Sequence, residues 1–82
     1  MSPGYGMAQL KVVITEHARQ RLQQDRQGGI TLEDIVSAAY SIPGRIPSAT
    51  RFRSFVAASG RSFDLVAKDT RVGRLVITVI GK

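Results

Sequence analysis

Two residues near the start of the sequence combine types that can act on a phosphodiester, a histidine and an arginine four positions apart, His17 and Arg21. Four positions are about one helical turn, so both side chains would lie on one helix face. An imidazole can exchange a proton with a ribose 2′-hydroxyl, and a guanidinium can hold the phosphate that this oxygen attacks. The pair therefore suits metal-free RNA cleavage. A purely structural interpretation is also open, in which His17 is a surface residue and Arg21 forms an ion pair with Asp25. From spacing alone, the structural interpretation is favoured.

Further cations recur at alternating positions in the second half of the chain. Arg51 and Arg53 would share one strand face, and Lys68 would share a face with Asp64. Strict alternation along the last strand predicts a face that carries Arg74, Val76, Thr78 and Ile80. We take Arg51, Arg53, Lys68 and Arg74 as candidate contacts to a nucleic-acid backbone. An exposed ion pair explains Lys68 and Asp64 equally well.

Thr78 and the phenylalanines each allow a functional and a structural interpretation. Thr78 places a hydroxyl within the apolar run 75–80, where a buried oxygen needs a hydrogen-bond partner. The strand propensity of threonine alone also accounts for its presence there. Phe52, Phe55 and Phe63 have the chemistry of base-stacking platforms. We expect them in the core instead, because few other large residues in the second half can fill it.

The net charge of +6 is distributed unevenly along the 82 residues. Residues 1–40 contain four basic and four acidic side chains, whereas residues 41–82 contain eight basic and two acidic ones. Each phosphate that a basic surface neutralises releases counterions, so this asymmetry favours a phosphate-bearing partner, and RNA is the partner we expect. Basic surfaces also aid solubility, so charge alone favours nucleic acid only modestly.

Composition argues against several other classes of function. The sequence has no cysteine, one histidine and six scattered carboxylates, so we expect no metal and no cofactor. No apolar run approaches the roughly 20 residues of a membrane helix, so we expect no membrane partner. We expect the site of action to be the cytoplasm, with delivery from another cell as part of a larger toxin left open.

The hydrophobic pattern predicts one α+β domain over residues 10–82, after a flexible lead-in at residues 1–9. A short strand at 11–14 leads into a helix at about 16–27, and Thr31 with Asp34 forms a capping box that begins a second helix. The spacing predicts that five side chains of this second helix face the core: Leu32, Ile35, Val36, Ala39 and Tyr40. Three strands at 51–59, 62–69 and 74–81 follow as an antiparallel meander.

The stretch from Ile14 to Tyr40 also matches the pattern of a known family. It reads Ile-Thr-Glu-His-Ala-Arg-Gln-Arg-Leu, then Gly-Ile-Thr-Leu-Glu-Asp-Ile-Val, and it ends in Ala-Ala-Tyr. Over roughly Val12 to Val79 the chain resembles a small RelE-like domain of the barnase, EndoU, colicin and RelE ribonuclease superfamily. Such domains occur in phages, toxin–antitoxin loci and the toxic tips of polymorphic toxins, and they pair N-terminal helices with a four-stranded antiparallel sheet.

The resemblance implies a metal-independent ribonuclease toxin that cleaves tRNA or mRNA through a 2′,3′-cyclic phosphate. His17 would match the family's helix histidine as general base or acid, Arg21 its phosphate-clamping arginine, and Thr78 the last-strand threonine that orients the scissile group. An acidic antitoxin or immunity protein would cover the basic face. Two alternatives stay open: a non-catalytic nucleic-acid-binding module, and a basic domain that docks an acidic partner protein.

Overall fold

The computed structural model describes residues 11–24 and 27–82, in which two helices and four strands form an α+β fold. The lead-in expected at residues 1–9 and the Asp25 partner expected for Arg21 lie outside the described residues. The elements in chain order are β1 (Val12–Ile14), α1 (Glu16–Leu22), α2 (Leu32–Ser41), β2 (Thr50–Val56), β3 (Ser62–Asp69) and β4 (Arg74–Gly81).

The four strands form one mixed sheet in the order β1-β4-β3-β2. Strands β2, β3 and β4 pair antiparallel, which confirms the predicted meander. Strand β1 pairs parallel with β4, so the purely antiparallel sheet implied by the resemblance is wrong in this detail. Hydrophobic alternation identifies a strand but does not fix its direction. A parallel partner needs a long connection, and the two helices and two strands between β1 and β4 provide it.

Both helices begin where the sequence predicts. Thr15 accepts a hydrogen bond from the N–H of Ala18 at the start of α1, and the Thr31–Asp34 capping box is complete at the start of α2. Helix α1 ends at Leu22 and is shorter than predicted, because the chain turns to bring Gln27 onto the last strand.

The core lies between the helices and one face of the sheet, and it includes Phe63, with Phe52 and Phe55 packed against it. The prediction that the phenylalanines are core residues is therefore confirmed. The predicted core face of α2 is wrong in part, since Leu32 is 41% exposed and Tyr40 is 52% exposed. The helix instead buries Ile35, Ala38 and Ala39. The side of α2 that faces the core therefore carries Ile35 and the two alanines, and Leu32 and Tyr40 lie outside it.

A β-bulge changes which residues of β4 face the helices. Val66 pairs with Thr78 and Ala67 with Val76, so Ile77 is an extra residue in β4. Val76 and Val79 are therefore both buried in the core, three positions apart. The prediction that Arg74 and Thr78 share a face is wrong, because a bulge shifts the alternation by one residue.

Glycine is required where β4 begins beside β1. Gly73 has φ +150°, and a Cβ there would overlap the backbone carbonyl oxygen of Lys11. That oxygen accepts the N–H of Arg74 at 2.7 Å, which joins the start of β1 to the start of β4. The parallel pairing thus depends on a close backbone approach that any side chain at position 73 would block.

Neither described helix has the length and apolar character needed to cross a membrane.

Candidate nucleic-acid site

Helix α1 lies along the edge of β4 where the short strand β1 stops. The Oγ1 of Thr15 donates to the carbonyl of Ile77 at 3.1 Å, and the Nε of Arg21 donates to the carbonyl of Val79 at 3.2 Å. Two side chains of the helix region thereby supply donors that a neighbouring strand would otherwise provide. Such cover prevents the edge of a sheet from pairing with another chain.

Thr78 lies between the two contacted carbonyls. Its cross-strand partner Val66 alternates with the buried residues Leu65 and Ala67 of β3. Because directly paired residues point to the same side of a sheet, Thr78 faces away from the helices. It makes no side-chain hydrogen bond to another described residue and is partly exposed. Thr78 is therefore partly exposed on the outer side of the same strand edge that Arg21 contacts.

His17 is exposed and makes no hydrogen bond to any described residue. It is one helical turn before Arg21 and so lies on the same side of α1. Arg21 is partly buried, and within the described residues only its Nε has a partner. The structure thus places Arg21 and Thr78 beside the same edge of β4, and His17 on the same side of α1 as Arg21. Within the described residues, the imidazole and the terminal guanidinium nitrogens have no hydrogen-bond partner.

The sheet face that points away from both helices, which we call the outer face, combines apolar and basic side chains. Cross-strand pairing places Arg51, Val66 and Thr78 in one row, and Lys68 with Leu75 in the next. Arg53 is exposed beside the irregularity in β2. Three of the four predicted phosphate contacts are accordingly exposed, and two of them lie in rows that cross the outer face.

Arg74, the fourth predicted phosphate contact, is only 2% exposed. Its guanidinium bonds Asp69 at 2.7 Å and donates to three carbonyls at the end of α2 and in the loop after it, those of Ala39, Ile42 and Gly44. We correct the prediction: Arg74 holds the C-terminal end of α2 and offers no group to a substrate. A cation at that end also offsets the partial negative charge of the helix terminus.

Sequence reasoning missed the role of Asp64 and the contribution of Lys82. Asp64 is fully buried although it points to the outer face, and its Oδ2 accepts from Nε and Nη2 of Arg51 at 3.0 and 2.8 Å. Its Oδ1 accepts from Nζ of Lys82 at 3.0 Å and from the N–H of Ser54 at 2.9 Å. An aspartate inside an apolar strand was the available signal, but Lys68 is not the cation that pairs with it.

Burial alone would raise the pKa of the Asp64 carboxyl, but the Ser54 N–H, Arg51 and Lys82 outweigh burial and lower that pKa to about 2. The Arg74 guanidinium likewise lowers the pKa of Asp69 against the effect of burial. Both carboxyls are therefore ionised at neutral pH. An acid group whose pKa is lower in the folded state stabilises the fold above its ordinary pKa and loses that contribution as the pH falls.

We predict that the free energy of unfolding falls between about pH 4 and pH 2, with about 2 kcal/mol from Asp64 alone. Urea unfolding followed by circular dichroism across this range measures the effect. Asp64→Asn should lose most of the pH dependence that Asp64 contributes to the free energy of unfolding. Glu33→Gln, at an exposed position of α2, should keep the pH dependence of the wild type. Equal acid profiles for the wild type and Asp64→Asn would contradict the prediction.

Within the described residues, no three histidine, aspartate or glutamate side chains lie together as metal ligands. Comparisons with protein-family models, with curated proteins and with solved structures find no match to this chain. The RelE-like resemblance therefore stays a prediction.

Proposed function

We propose that the protein is a metal-independent endoribonuclease whose site lies at the edge of β4. The observation that carries the proposal is the position of Arg21, whose side chain reaches the Val79 carbonyl directly beside Thr78, while His17 is exposed one turn earlier on the same helix. A base, a cation and a hydroxyl would thus act together at this edge. This is the set of groups that attack by a 2′-hydroxyl uses.

In the proposed reaction, His17 removes the proton from the ribose 2′-hydroxyl. The 2′ oxygen then forms a bond to phosphorus, and the bond from phosphorus to the 5′ oxygen breaks. Water protonates the departing 5′ oxygen, and the hydroxide so formed takes the proton from the His17 imidazolium, which restores the base. The products are a 2′,3′-cyclic phosphate and a 5′-hydroxyl end. Every proton and bond is accounted for without a cofactor.

Arg21 and Thr78 would act on the phosphate itself. The Nη nitrogens of Arg21 have no partner within the described residues, so they can donate to the non-bridging oxygens while Nε stays on Val79. A guanidinium held at one nitrogen loses less freedom when it binds and therefore binds phosphate more effectively. Thr78 would donate its hydroxyl proton to the same group from the outer face.

The cationic outer face supports a second candidate, a nucleic-acid-binding module without catalysis. Arg51, Arg53 and Lys68 are all exposed, and the bond from Arg21 to Val79 is in itself a sufficient structural reason for that arginine. In either case an acidic protein that covers the outer face would act as an inhibitor, because complementary charge speeds association.

The test is incubation of the purified protein with total tRNA and with mRNA in excess chelator. The proposal expects discrete fragments that end in a 2′,3′-cyclic phosphate. Intact RNA that is nevertheless retarded in a native gel would establish the binding module and overturn the ribonuclease. A protein that neither cuts nor retards RNA would leave only an acidic protein as the partner.

A further inference from the structure

A buried carboxylate on a solvent-facing sheet surface is unusual, and Asp64 is one. Its side chain is fully buried, while the two cations that cover it, Arg51 and Lys82, are 43% and 41% exposed. An isolated buried charge is costly, so the carboxylate is retained only with its cations in place. Asp64 therefore fixes the positions of two long, otherwise flexible side chains.

The cluster keeps donors for a further ligand. Arg51 uses Nε and Nη2 on Asp64, which leaves its Nη1 without a partner in the described residues. The ammonium of Lys82 donates one proton to Oδ1 of Asp64 and has two other protons that can be donated to a ligand. Two positive charges against one negative charge leave the cluster with a net charge of about +1, as an anion requires.

Backbone strain occurs at the same place. Ser54 has φ +68°, a conformation that is uncommon for a residue with a Cβ, and its N–H is the fourth donor to Asp64. The pairing of Phe52 with Leu65 and of Phe55 with Phe63 leaves one extra residue in β2, so both Arg53 and Ser54 lie opposite Asp64. Strained backbone of this kind concentrates at ligand sites, where the surrounding contacts maintain it.

The cluster is also placed in line with the proposed catalytic edge. Arg51 is paired with Val66, and Val66 is paired with Thr78, so one cross-strand row joins the arginine to the threonine. Two strand spacings separate them, about 10 Å. A nucleic-acid strand that crosses the outer face would therefore meet both.

We propose that Arg51, Lys82 and the positioning residue Asp64 form a phosphate cradle that binds an RNA phosphodiester next to the one that is cut. The statement that a neighbouring phosphodiester is cut rests on the proposed function. The binding of a phosphodiester by the cradle does not depend on cleavage. Asp64 does not contact the ligand; it orients the two cations.

The test measures equilibrium binding of a single-stranded RNA oligonucleotide to protein carrying His17→Ala, so that cleavage is slow compared with the binding measurement. Arg51→Gln and Lys82→Gln should each weaken affinity about tenfold and reduce the slope of log K against log salt by about 0.7. The control Arg19→Gln removes the same charge from an exposed position of α1 and should have little effect. Equal losses in all three variants would overturn the cradle in favour of bulk charge.

Asp64→Asn separates positioning from simple attraction because it raises the net charge by one unit. Attraction alone predicts tighter RNA binding, whereas the cradle predicts weaker binding. If that variant is unfolded at the assay temperature, Arg51→Lys replaces it: the charge is kept but the two-nitrogen contact to Asp64 is lost, and affinity should still fall. Unchanged affinity in Arg51→Lys would overturn the cradle.

DNA of the same sequence identifies the group that is bound. Equal losses of affinity for RNA and DNA in the cradle variants support a phosphodiester ligand. A loss of affinity for RNA alone would assign the contact to the 2′-hydroxyl and overturn the phosphate cradle. The two proposals fail separately. A wild-type protein that cuts RNA, with cradle variants that bind normally, refutes only the cradle, and an inactive wild type with weakened cradle variants refutes only the ribonuclease.

Discussion

Replacing His17 with alanine is expected to slow RNA cleavage by about 10²- to 10⁴-fold and to leave RNA affinity nearly unchanged. The imidazole is exposed and makes no hydrogen bond or ion pair with a described residue, so its removal breaks no such bond of the described fold. The loss would then come from the proton transfer alone. Single-turnover cleavage of a labelled RNA, with binding measured in parallel by fluorescence anisotropy, separates the two quantities.

The matched control for this experiment is Gln20→Ala, another exposed position of α1 that no proposed step uses. It should cut RNA at the wild-type rate. If His17→Ala also retained that rate, the histidine would not be the base and the proposed ribonuclease mechanism would be wrong. If His17→Ala lost affinity and rate together, the residue would bind RNA rather than transfer a proton.

The largest effect on stability is expected for Arg74→Met, which keeps the bulk of the side chain but removes the guanidinium. Asp69 would lose its ion-pair partner, and the carbonyls of Ala39, Ile42 and Gly44 would lose a donor inside the fold. Removing one partner of a buried pair costs about 3–5 kcal/mol. In a domain of this size, that should lower the thermal midpoint by about 12 °C or more.

Thermal and urea unfolding of Arg74→Met, beside the exposed control Arg71→Met, would measure the effect. The control should change stability by less than about 0.5 kcal/mol. Because Arg74 and Asp69 share one network, the double variant Arg74→Met, Asp69→Asn should lose less than the sum of the single losses. A fully additive double variant would show that the two side chains are not coupled.

The candidate site could be predicted only in part. His17 and Arg21 follow from helical spacing, and the structure places them as that spacing implies, on one side of α1. Arg74 could not be told apart from Arg51 by sequence, since both are strand arginines. Burial separates them, and burial depends on which sheet face receives the helices. Lys82 becomes part of a site only through Asp64, which lies on a neighbouring strand.

Elements with local signals could be predicted from the order of residues. The Thr31–Asp34 capping box, the starts of both helices and the three strands of the meander follow from caps, turns and hydrophobic alternation within a few residues. Four features needed the folded chain: the parallel pairing of β1, the outward face of α2, the bulge at Ile77 and the burial of Arg74 and Asp64. Each of these depends on contacts between segments distant in the chain, where packing outweighs local propensity.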